Sequence, residues 1–548
     1  MKFCTRMLKK YGHWMFLGLM ILITIYMDVY VARHILDSDT SEDVYHGWII
    51  AQQNNPFTRD VYFSTELRLL DIASVFGLFF KFAEDWTLVR ILGSVAMQAW
   101  YVLSFAYLCR QAGVSLRNTV FAAGLLLSPF STPYARVVLY HLYYILYTAN
   151  AFWLLGLTLR VFRVWQSEKR LAAVPAALLA ALWAFVGMNG IRHMMILGIP
   201  LLMYVGVRCL QVLNEHHWEP GLGLRRQSFW KTDAMRMLGV VAVSFVCFAV
   251  GFVISQVWLL PHFGVMDMSD TIYRPNAPAS RYLEIFHGWL IASGVRNSSL
   301  PLVGIRGLSL AAALFGFACP LYLSYRALKE KQLAPDNLLM SMLFSSFMTT
   351  TLIFLFDSTA RIFEQYYVLV CVWAVPALAV EMQRCQKPSA STAKRLLALA
   401  ACACLVVQGA YTTLYVRADK DGMDKWECLY FDRFTAMDEV RDCIDFMQEN
   451  NYTHAMTDYW YANVMMEMTD GELTVAPMLV NYQETPALSL QEWGTSRSAF
   501  AKENLPPKML VFFERAKAAE FEKNYPQVPL VHEGWIFNGY EIDASMIK

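Results

Sequence analysis

The chain has 548 residues, of which 56% are hydrophobic and only 17% are charged, against roughly 25% charged in typical soluble domains. So few polar groups exclude a cytosolic enzyme, a secreted module and a disordered scaffold. The net charge of +1 conceals an asymmetry: residues 1–416 carry 34 basic and 22 acidic side chains (net +12), and residues 417–548 carry 12 and 23 (net −11). This predicts a basic membrane domain, 1–416, and an acidic soluble tail, 417–548. No basic stripe with interleaved aromatics indicates nucleic-acid binding.

Eleven apolar stretches are long enough to cross a membrane, which takes roughly 20 residues. They are 14–32, 88–109, 117–134, 138–162, 171–189, 191–213, 237–260, 305–326, 337–356, 361–382 and 396–416. The first follows a basic leader without a small-residue cleavage site, so we expect a retained anchor rather than a signal peptide. The predicted fold is a polytopic α-helical membrane protein with about 11 transmembrane helices.

One further apolar stretch, 67–83, carries Arg68, Asp71 and Lys81. Counting it as a span would place the most basic connections, such as 160–170, outside. Because Lys and Arg concentrate in inner loops, we expect 67–83 to lie along the membrane. The first outer loop then covers 33–87, the amino terminus is cytoplasmic and the tail is extracytoplasmic.

The tail alternates helix and strand patterns. Apolar residues recur at helical or alternating spacing in 435–449 (helix), 473–479 and 509–513 (strands), 515–524 (helix) and 530–542 (strand). This pattern predicts a small α/β domain, with one sheet covered by helices.

The first outer loop opens with four carboxylates within seven residues, Asp37, Asp39, Glu42 and Asp43. Carboxylates at a membrane surface suit a general base, because low local dielectric raises their pKa toward working pH. Asp39 followed by Glu42 is also a helix-start signature, with Asp39 as N-cap and Glu42 at N3. The two interpretations are compatible, and we expect Asp39 to be the base, with Asp37 and Glu42 as alternatives. The same acids could hold a divalent cation through oxygen ligands.

Glu66 lies further along this loop, two residues before Arg68. Either the two side chains pair with each other at the rim, or Glu66 faces the same cavity as Asp39. The second interpretation makes Glu66 a further candidate acid.

Three arginines and a histidine are predicted at the outer ends of spans: Arg136, His141, Arg192 and Arg361. Charges at this depth are costly, which makes each a functional candidate. Planar guanidinium groups bind phosphate through paired hydrogen bonds, so these residues predict a lipid-phosphate site. The alternatives are arginines that snorkel to lipid headgroups and a histidine with a structural hydrogen bond.

Four tyrosines, Tyr140, Tyr143, Tyr144 and Tyr147, lie near the same end of the spans. Tyrosine concentrates at membrane–water interfaces. We expect an interfacial belt rather than a surface on which a sugar stacks.

The order of the segments resembles that of the GT-C superfamily: a first span, a long outer loop that opens with aspartate, many further spans and an outer tail. These integral-membrane glycosyltransferases use polyprenyl-phosphate sugars and include the protein O-mannosyltransferases, the aminoarabinose transferase of lipid A and the catalytic subunit of oligosaccharyltransferase. The segments that look like a bacterial branch are Asp37-Ser-Asp39-Thr-Ser-Glu42, Tyr62-Phe-Ser-Thr-Glu66-Leu-Arg68, Gly190-Ile-Arg192 and Thr457-Asp-Tyr-Trp460-Tyr-Ala-Asn463. The likeness covers about 1–416. Many members have an adjacent Asp-Glu pair in the first loop, whereas the acids of this chain are spaced.

The resemblance implies transfer of a sugar from a polyprenyl-phosphate donor at the outer membrane face. A carboxylate would take the acceptor's hydroxyl proton as that oxygen attacks the anomeric carbon with inversion, and arginines would stabilise the departing lipid phosphate. The sugar and the acceptor, whether glycan, lipid or protein, stay open, and mannosyltransferase-like members need no metal. Two rival classes are a lipid-linked sugar flippase or exporter, which would place functional charges at mid-membrane, and a non-catalytic cell-envelope assembly protein, whose loop acids would be dispensable.

Overall fold

The structure is a computed structural model that describes 2–64, 67–168, 172–215, 232–266, 278–295, 303–331, 333–356, 364–418, 434–484, 486–501, 503–534 and 536–548. The helices up to residue 418 are α1 Lys2–His34, α2 Ser38–Gln53, α3 Ile72–Phe79, α4 Trp86–Gln111, α5 Leu116–Leu126, α6 Ile145–Glu168, α7 Ala173–Met188, α8 Ile199–Glu215, α9 Asp233–Val253, α10 Pro278–Ala292, α11 Ile305–Lys329, α12 Pro335–Phe356, α13 Glu364–Cys371, α14 Ala374–Cys385 and α15 Thr392–Ala418. Wider π-helical turns occupy Ala135–Tyr140, Met194–Gly198 and Ile254–Leu259.

Within the described residues, nine helical stretches are long and apolar enough to cross a membrane. They are Lys10–His34, Trp86–Gln111, Ile145–Glu168, Met194–Asn214, Asp233–His262, Gly307–Lys329, Pro335–Phe356, Tyr366–Cys385 and Thr392–Leu414. Each overlaps a predicted span, and α7 is a shorter apolar helix over the predicted 171–189. Helix α7 packs closely on α9 through glycine, because a Cβ at Gly251 would lie 1.9 Å from the carbonyl oxygen of Ala184. The polytopic helical architecture is thus confirmed, but the count of eleven is not.

The prediction of one continuous span over 117–134 is wrong. Helix α5 stops at Leu126, because Pro129 cannot continue a helix and disfavours helical geometry in the residue before it. The Tyr134 hydroxyl donates a hydrogen bond of 2.5 Å to the Leu126 carbonyl, so an acceptor freed at the helix end regains a partner. The broken segment brings residues 131–141 against the first loop, where Thr40 donates to the His141 carbonyl and Arg136 faces Asp39.

The stretch 67–83 does not form a span, as predicted. Its only helix among the described residues, α3, has 8 residues and rises about 12 Å at 1.5 Å per residue, too little to cross a bilayer. A Cβ at Gly47 would lie 2.7 Å from the Phe76 Cβ, so α3 packs tightly along α2. Both helices belong to the first loop.

The tail forms a six-stranded mixed sheet with the strand order β7-β6-β5-β8-β10-β9. Among the described residues, the strands are β1 Ile35–Asp37, β2 Tyr62–Ser64, β3 Gly264–Met266, β4 Phe434–Ala436, β5 His454–Thr457, β6 Thr474–Val480, β7 Leu488–Leu490, β8 Lys508–Glu514, β9 Leu530–Glu533 and β10 Phe537–Asp543, and the tail helices are α16 Met437–Glu449, α17 Tyr459–Met468 and α18 Arg515–Asn524. The α/β prediction is confirmed. The predicted single strand over 530–542 is two antiparallel strands, and β5 and α17 were not predicted.

The tail is docked on the first loop, 33–87. Strand β1 pairs antiparallel with β4, so the segment that leaves the first span and the segment that enters the tail form one small sheet. The Asp470 carboxylate accepts the backbone N–H of Trp86 at 2.8 Å, at the start of α4. Gly471 has a φ of 78° and lies so close to Trp86 that a Cβ would be 2.8 Å from its ring. Loop, span and tail therefore meet around the acidic opening of α2.

Candidate functional site

Helix α2 begins immediately after β1, and its N-cap is Asp37. The Asp37 side chain accepts the N–H of Thr40 at 3.3 Å, and its backbone is extended (φ −129°, ψ 151°). The predicted N-cap Asp39 is therefore wrong: pairing with β4 holds only residues 35–37 extended, and the helix starts two residues earlier than expected. Asp39 lies in the first turn, where a carboxylate is favoured by the helix dipole, and its side chain is not used for capping.

Asp37 also belongs to a buried ion cluster, formed by Asp37, Ser41, Arg90, His141 and Glu467. Arg90 lies 2.7 Å from Glu467 Oε2 and 3.4 Å from Asp37 Oδ1. His141 Nδ1 is 2.5 Å from Asp37 Oδ1, and Ser41 donates to Glu467 at 2.5 Å. Burial disfavours the Asp37 anion, but His141 and the charges of Arg90 and Arg136 outweigh it and hold the pKa of Asp37 below its ordinary value. This cluster fastens α2, α4 and α17 together.

Glu42 and Asp43 share one buried arginine, Arg68. The guanidinium Nη2 lies 3.5 Å from Glu42 Oε1 and 3.4 Å from Asp43 Oδ1. Burial raises the pKa of Glu42 to about 8 and that of Asp43 to about 7, and the charge of Arg68 opposes both shifts. Glu42 is therefore mostly protonated at neutral pH. The sequence allowed Arg68 to pair with Glu66 at an exposed rim. In the structure Arg68 is buried instead.

Asp39 is the accessible carboxylate of the group. Its side chain is 27% exposed, whereas those of Asp37, Glu42 and Asp43 are 2–4% exposed. Arg136, from the turn after the broken helix α5, lies 3.6 Å from Asp39 Oδ2. We call Asp39 and Arg136 the open edge of the site. A carboxylate that solvent reaches, beside a cation, has the arrangement that proton abstraction next to an anionic leaving group requires.

The tail contributes Tyr459 to this edge. Its hydroxyl lies 3.1 Å from Asp39 Oδ1 and 2.9 Å from Glu42 Oε2. Burial and the charges of Glu42 and Asp39 raise the pKa of Tyr459 well above its ordinary value, so the hydroxyl keeps its proton. The ring stacks on Trp493 at 4.8 Å.

Arg192 lies among three of the four tyrosines. Its guanidinium carbon is 5.5, 5.6 and 5.4 Å from the ring centres of Tyr143, Tyr144 and Tyr147, within cation–π range. Tyr143 also faces Arg68 at 5.3 Å, so the phenol links Arg192 to the acidic group. Tyr140, Tyr144 and Tyr147 are buried, and Tyr144 and Tyr147 pack against Arg192, so the predicted interfacial belt is wrong for these three rings.

Two predicted site residues, Glu66 and Arg361, lie outside the described residues. Of the others, the structure brings Asp37, Asp39, Glu42, Arg136 and His141 together around the start of α2, with Arg192 joined to them through Tyr143 and Arg68. His141 faces Asp37 and is nearly inaccessible. Among the described residues, no group of three His, Cys, Asp or Glu side chains is arranged to hold a metal ion, and the loop acids face arginines.

Sequence reasoning missed Arg90, Glu467 and the role of Tyr459. Arg90 is a charge inside the predicted span 88–109, and the cost of intramembrane charge could have identified it. Tyr459 falls in the segment Thr457–Asn463, whose likeness to other proteins was noted without a role. Glu467 carries no local signal, because its partners lie over 370 residues away in the sequence.

No family model matches the chain, and no curated protein matches it in sequence. Among solved structures, ArnT from Cupriavidus metallidurans superposes with a TM-score of 0.51 and 11% identity when bound to undecaprenyl phosphate, and 0.52 and 12% in the apo state; both alignments cover 98% of this chain and 99% of ArnT. The apo oligosaccharyltransferase of Archaeoglobus fulgidus gives a TM-score of 0.49 at 15% identity, over 94% of this chain and 71% of that one. The likeness to ArnT shows that this multi-pass membrane protein shares the GT-C-like fold of ArnT.

Proposed function

We propose that the protein is a membrane glycosyltransferase that moves a sugar from a polyprenyl-phosphate donor to an acceptor hydroxyl, with Asp39 as the general base. The observation that carries the proposal is the open edge: of the acids that begin α2, Asp39 alone combines accessibility with an adjacent cation, Arg136. The GT-C fold and the undecaprenyl phosphate found in one ArnT crystal support a lipid-phosphate donor.

The proposed chemistry is the one that the resemblance implies, with its roles given to residues by their positions in the structure. Asp39 accepts the acceptor's hydroxyl proton while that oxygen attacks the anomeric carbon, the bond to the lipid phosphate breaks, and the configuration inverts. The guanidinium of Arg136, beside Asp39, and that of Arg192, held by tyrosines, supply positive charge for the departing phosphate. Arg361 is proposed as a third contact from its sequence position alone. The acceptor class, glycan, lipid or protein, stays open.

The orientation and the domain division belong to the same proposal. The basic connections favour a cytoplasmic amino terminus, with 1–416 as the catalytic membrane domain and 417–548 as an extracytoplasmic domain. Single cysteines engineered near residues 165 and 500 of the full chain should react with a membrane-impermeant maleimide only at 500 in intact cells. Labelling at 165 without labelling at 500 would reverse the topology and place the open edge on the cytoplasmic side.

Asp39→Asn tests the assignment of the base. The full chain is reconstituted in vesicles with radiolabelled undecaprenyl-phosphate hexoses and a cell-envelope extract as acceptor, and incorporated label and released undecaprenyl phosphate are measured. We expect Asp39→Asn to lose about two or more orders of magnitude in rate, the usual contribution of a positioned base. The melting temperature should stay close to wild type, because Asp39 does not cap α2.

Asp37→Asn, Glu42→Gln and Glu66→Gln are the comparison variants. Asn caps a helix about as well as Asp, so Asp37→Asn tests the ion pairs rather than the cap and should lower the melting temperature. If Asp39→Asn keeps wild-type transfer, it is not the base, and the variant with the largest rate loss at unchanged melting temperature replaces it. A wild-type protein that moves the labelled donor across the vesicle without consuming it would be a flippase.

A further inference from the structure

The open edge is assembled from two distant parts of the chain. Asp39 belongs to the first outer loop, and Tyr459 begins α17 in the tail. The Ser38 hydroxyl donates to the Tyr459 carbonyl at 2.6 Å, and Tyr459 stacks on Trp493. Both the backbone and the ring of Tyr459 are thus held, and its hydroxyl is directed between Asp39 and Glu42.

The two oxygens of Asp39 have different neighbours. Oδ1 lies 3.1 Å from the Tyr459 hydroxyl and Oδ2 lies 3.6 Å from Arg136. Contacts at both oxygens fix the plane of the carboxylate, and orientation is a large part of what makes a base effective. Lone pairs that are not used in these contacts remain for the acceptor proton.

A phenol has a single proton and cannot donate to two carboxylates at once. The short contacts to both Asp39 and Glu42 therefore require a second proton, which a protonated Glu42 supplies by donating to the phenol oxygen. The Tyr459 proton is then directed to Asp39. The pKa of Glu42, raised to about 8 by burial against the opposing charge of Arg68, makes this the neutral-pH state.

The tail also encloses Glu42. Gly494 has a φ of 66°, and a Cβ there would lie 2.7 Å from the Glu42 Cδ. The charged and titratable groups around Glu42 are Arg68, Asp43 and Asp39 from the loop and Tyr459 from the tail. A docked tail thus both buries Glu42 and supplies its hydrogen-bond partner.

We propose that Tyr459 is a positioning residue that the tail contributes to the base: with protonated Glu42 behind it, its hydroxyl donates to Asp39 and orients that carboxylate for the acceptor. This inference rests on the proposed function, and it makes docking of the tail a condition of full activity. When Glu42 ionises, the Tyr459 proton is drawn to Glu42 and Asp39 loses its donor. Activity should therefore fall as the pH rises through about 8.

Tyr459→Phe removes the hydroxyl and keeps the ring on Trp493. Tyr461→Phe is the matched control, because Tyr461 lies in the same helix and its hydroxyl bonds Glu514 at 2.9 Å, within the tail. In the vesicle assay with undecaprenyl-phosphate hexose, we expect Tyr459→Phe to lower kcat about tenfold or more, because a hydrogen bond to a charged group contributes at least that much. The KM for the donor should stay within about twofold of wild type. Tyr461→Phe should match wild type, and an unchanged kcat for Tyr459→Phe would overturn the proposal.

Glu42→Gln provides an independent test that does not depend on how well Tyr459→Phe folds. The amide cannot ionise but still donates a hydrogen bond, so the variant should lower kcat less than Tyr459→Phe and should lose the decline above pH 8. A decline that persists unchanged in Glu42→Gln would overturn the role of the Glu42–Tyr459 pair. Asp39→Asn distinguishes failure of the proposed function from failure of this inference. A fully active Asp39→Asn variant refutes Asp39 as the base. An inactive Asp39→Asn variant, together with a Tyr459→Phe variant that is as active as wild type, refutes only the positioning role of Tyr459.

Discussion

Two aspartates that lie two residues apart have opposite surroundings. Asp37 is 2% exposed and joins the buried ion cluster, whereas Asp39 is 27% exposed and forms the open edge with Arg136. Both are carboxylates beside arginine at the start of one helix, so residue type and position do not distinguish them. The difference arises because Asp37, at the end of β1, faces Arg90 and the cluster that contains Glu467, whereas Asp39, in the first turn of α2, faces Arg136 and the hydroxyl of Tyr459.

The contrast teaches that the same ion pair has different uses at different burial. A buried pair contributes little net stability over apolar packing, but losing one partner is costly because the other charge is left without compensation. An accessible pair contributes little to stability and keeps its lone pairs available for a substrate. The buried ion cluster therefore fastens the tail, and under the proposed function the open edge carries the chemistry.

Glu467→Ala gives the largest expected effect on this comparison. Among the described residues, it leaves the guanidinium of Arg90, which is 1% exposed, with Asp37, at 3.4 Å, as its one remaining ion-pair partner. Removing one member of a buried pair costs about 3–5 kcal/mol, so the melting temperature of the detergent-solubilised full chain should fall clearly. Transfer should be lost together with the fold, because α17 carries both Glu467 and Tyr459.

Lys508→Ala is the matched control for this experiment. Lys508 is 69% exposed and forms a tail ion pair with Glu541 at 2.6 Å, and such surface pairs contribute about 0–1 kcal/mol. Its melting temperature should stay near wild type. A Glu467→Ala protein that melts like Lys508→Ala would contradict the structural role of the buried ion cluster.

The sequence predicted the membrane fold well, because spans depend on local hydropathy. Nine of the predicted spans overlap long apolar helices, and 67–83 is no span. The failure at 117–134 had a local cause as well: Pro129 stands in the middle of the stretch, and its helix-ending effect outweighs the apolar composition. Two tail elements were missed: β5 has only 4 residues, whereas α17 has 10, as many as the predicted α18, so its length does not explain the omission.

The candidate site was only partly predictable. The acids of α2 and the arginines could be identified because charge beside a span is unusual. Which acid is accessible could not be predicted, since it depends on β1 pairing with β4, about 400 residues away. Glu467 could not be identified as the partner of Arg90 for the same reason. In sequence, its helix does not differ from a tail helix with an exposed glutamate. Long-range contacts, rather than local pattern, separate Asp37 from Asp39.

Arg192→Lys is a smaller and more specific test, because it probes whether the open edge extends to a phosphate site. Arg192 reaches the Tyr147 hydroxyl at 3.3 Å and the Tyr143 hydroxyl at 3.5 Å. A lysine keeps the charge but cannot present a planar fork to a phosphate. Binding is followed as the rise in melting temperature with increasing undecaprenyl phosphate. We expect Arg192→Lys to need about tenfold more of this lipid for half of the rise, which corresponds to about 1.4 kcal/mol of binding free energy. Undecaprenol, which lacks the phosphate, should give no such difference between the variant and wild type. Arg110→Lys is the control. Arg110 is exposed and lies at the end of α4 that is opposite to Arg90 and the site, so this variant should bind the lipid as wild type does. Equal affinity in wild type, Arg192→Lys and Arg110→Lys would show that Arg192 only packs among its tyrosines. The proposed phosphate site would then consist of Arg136, beside Asp39, without Arg192.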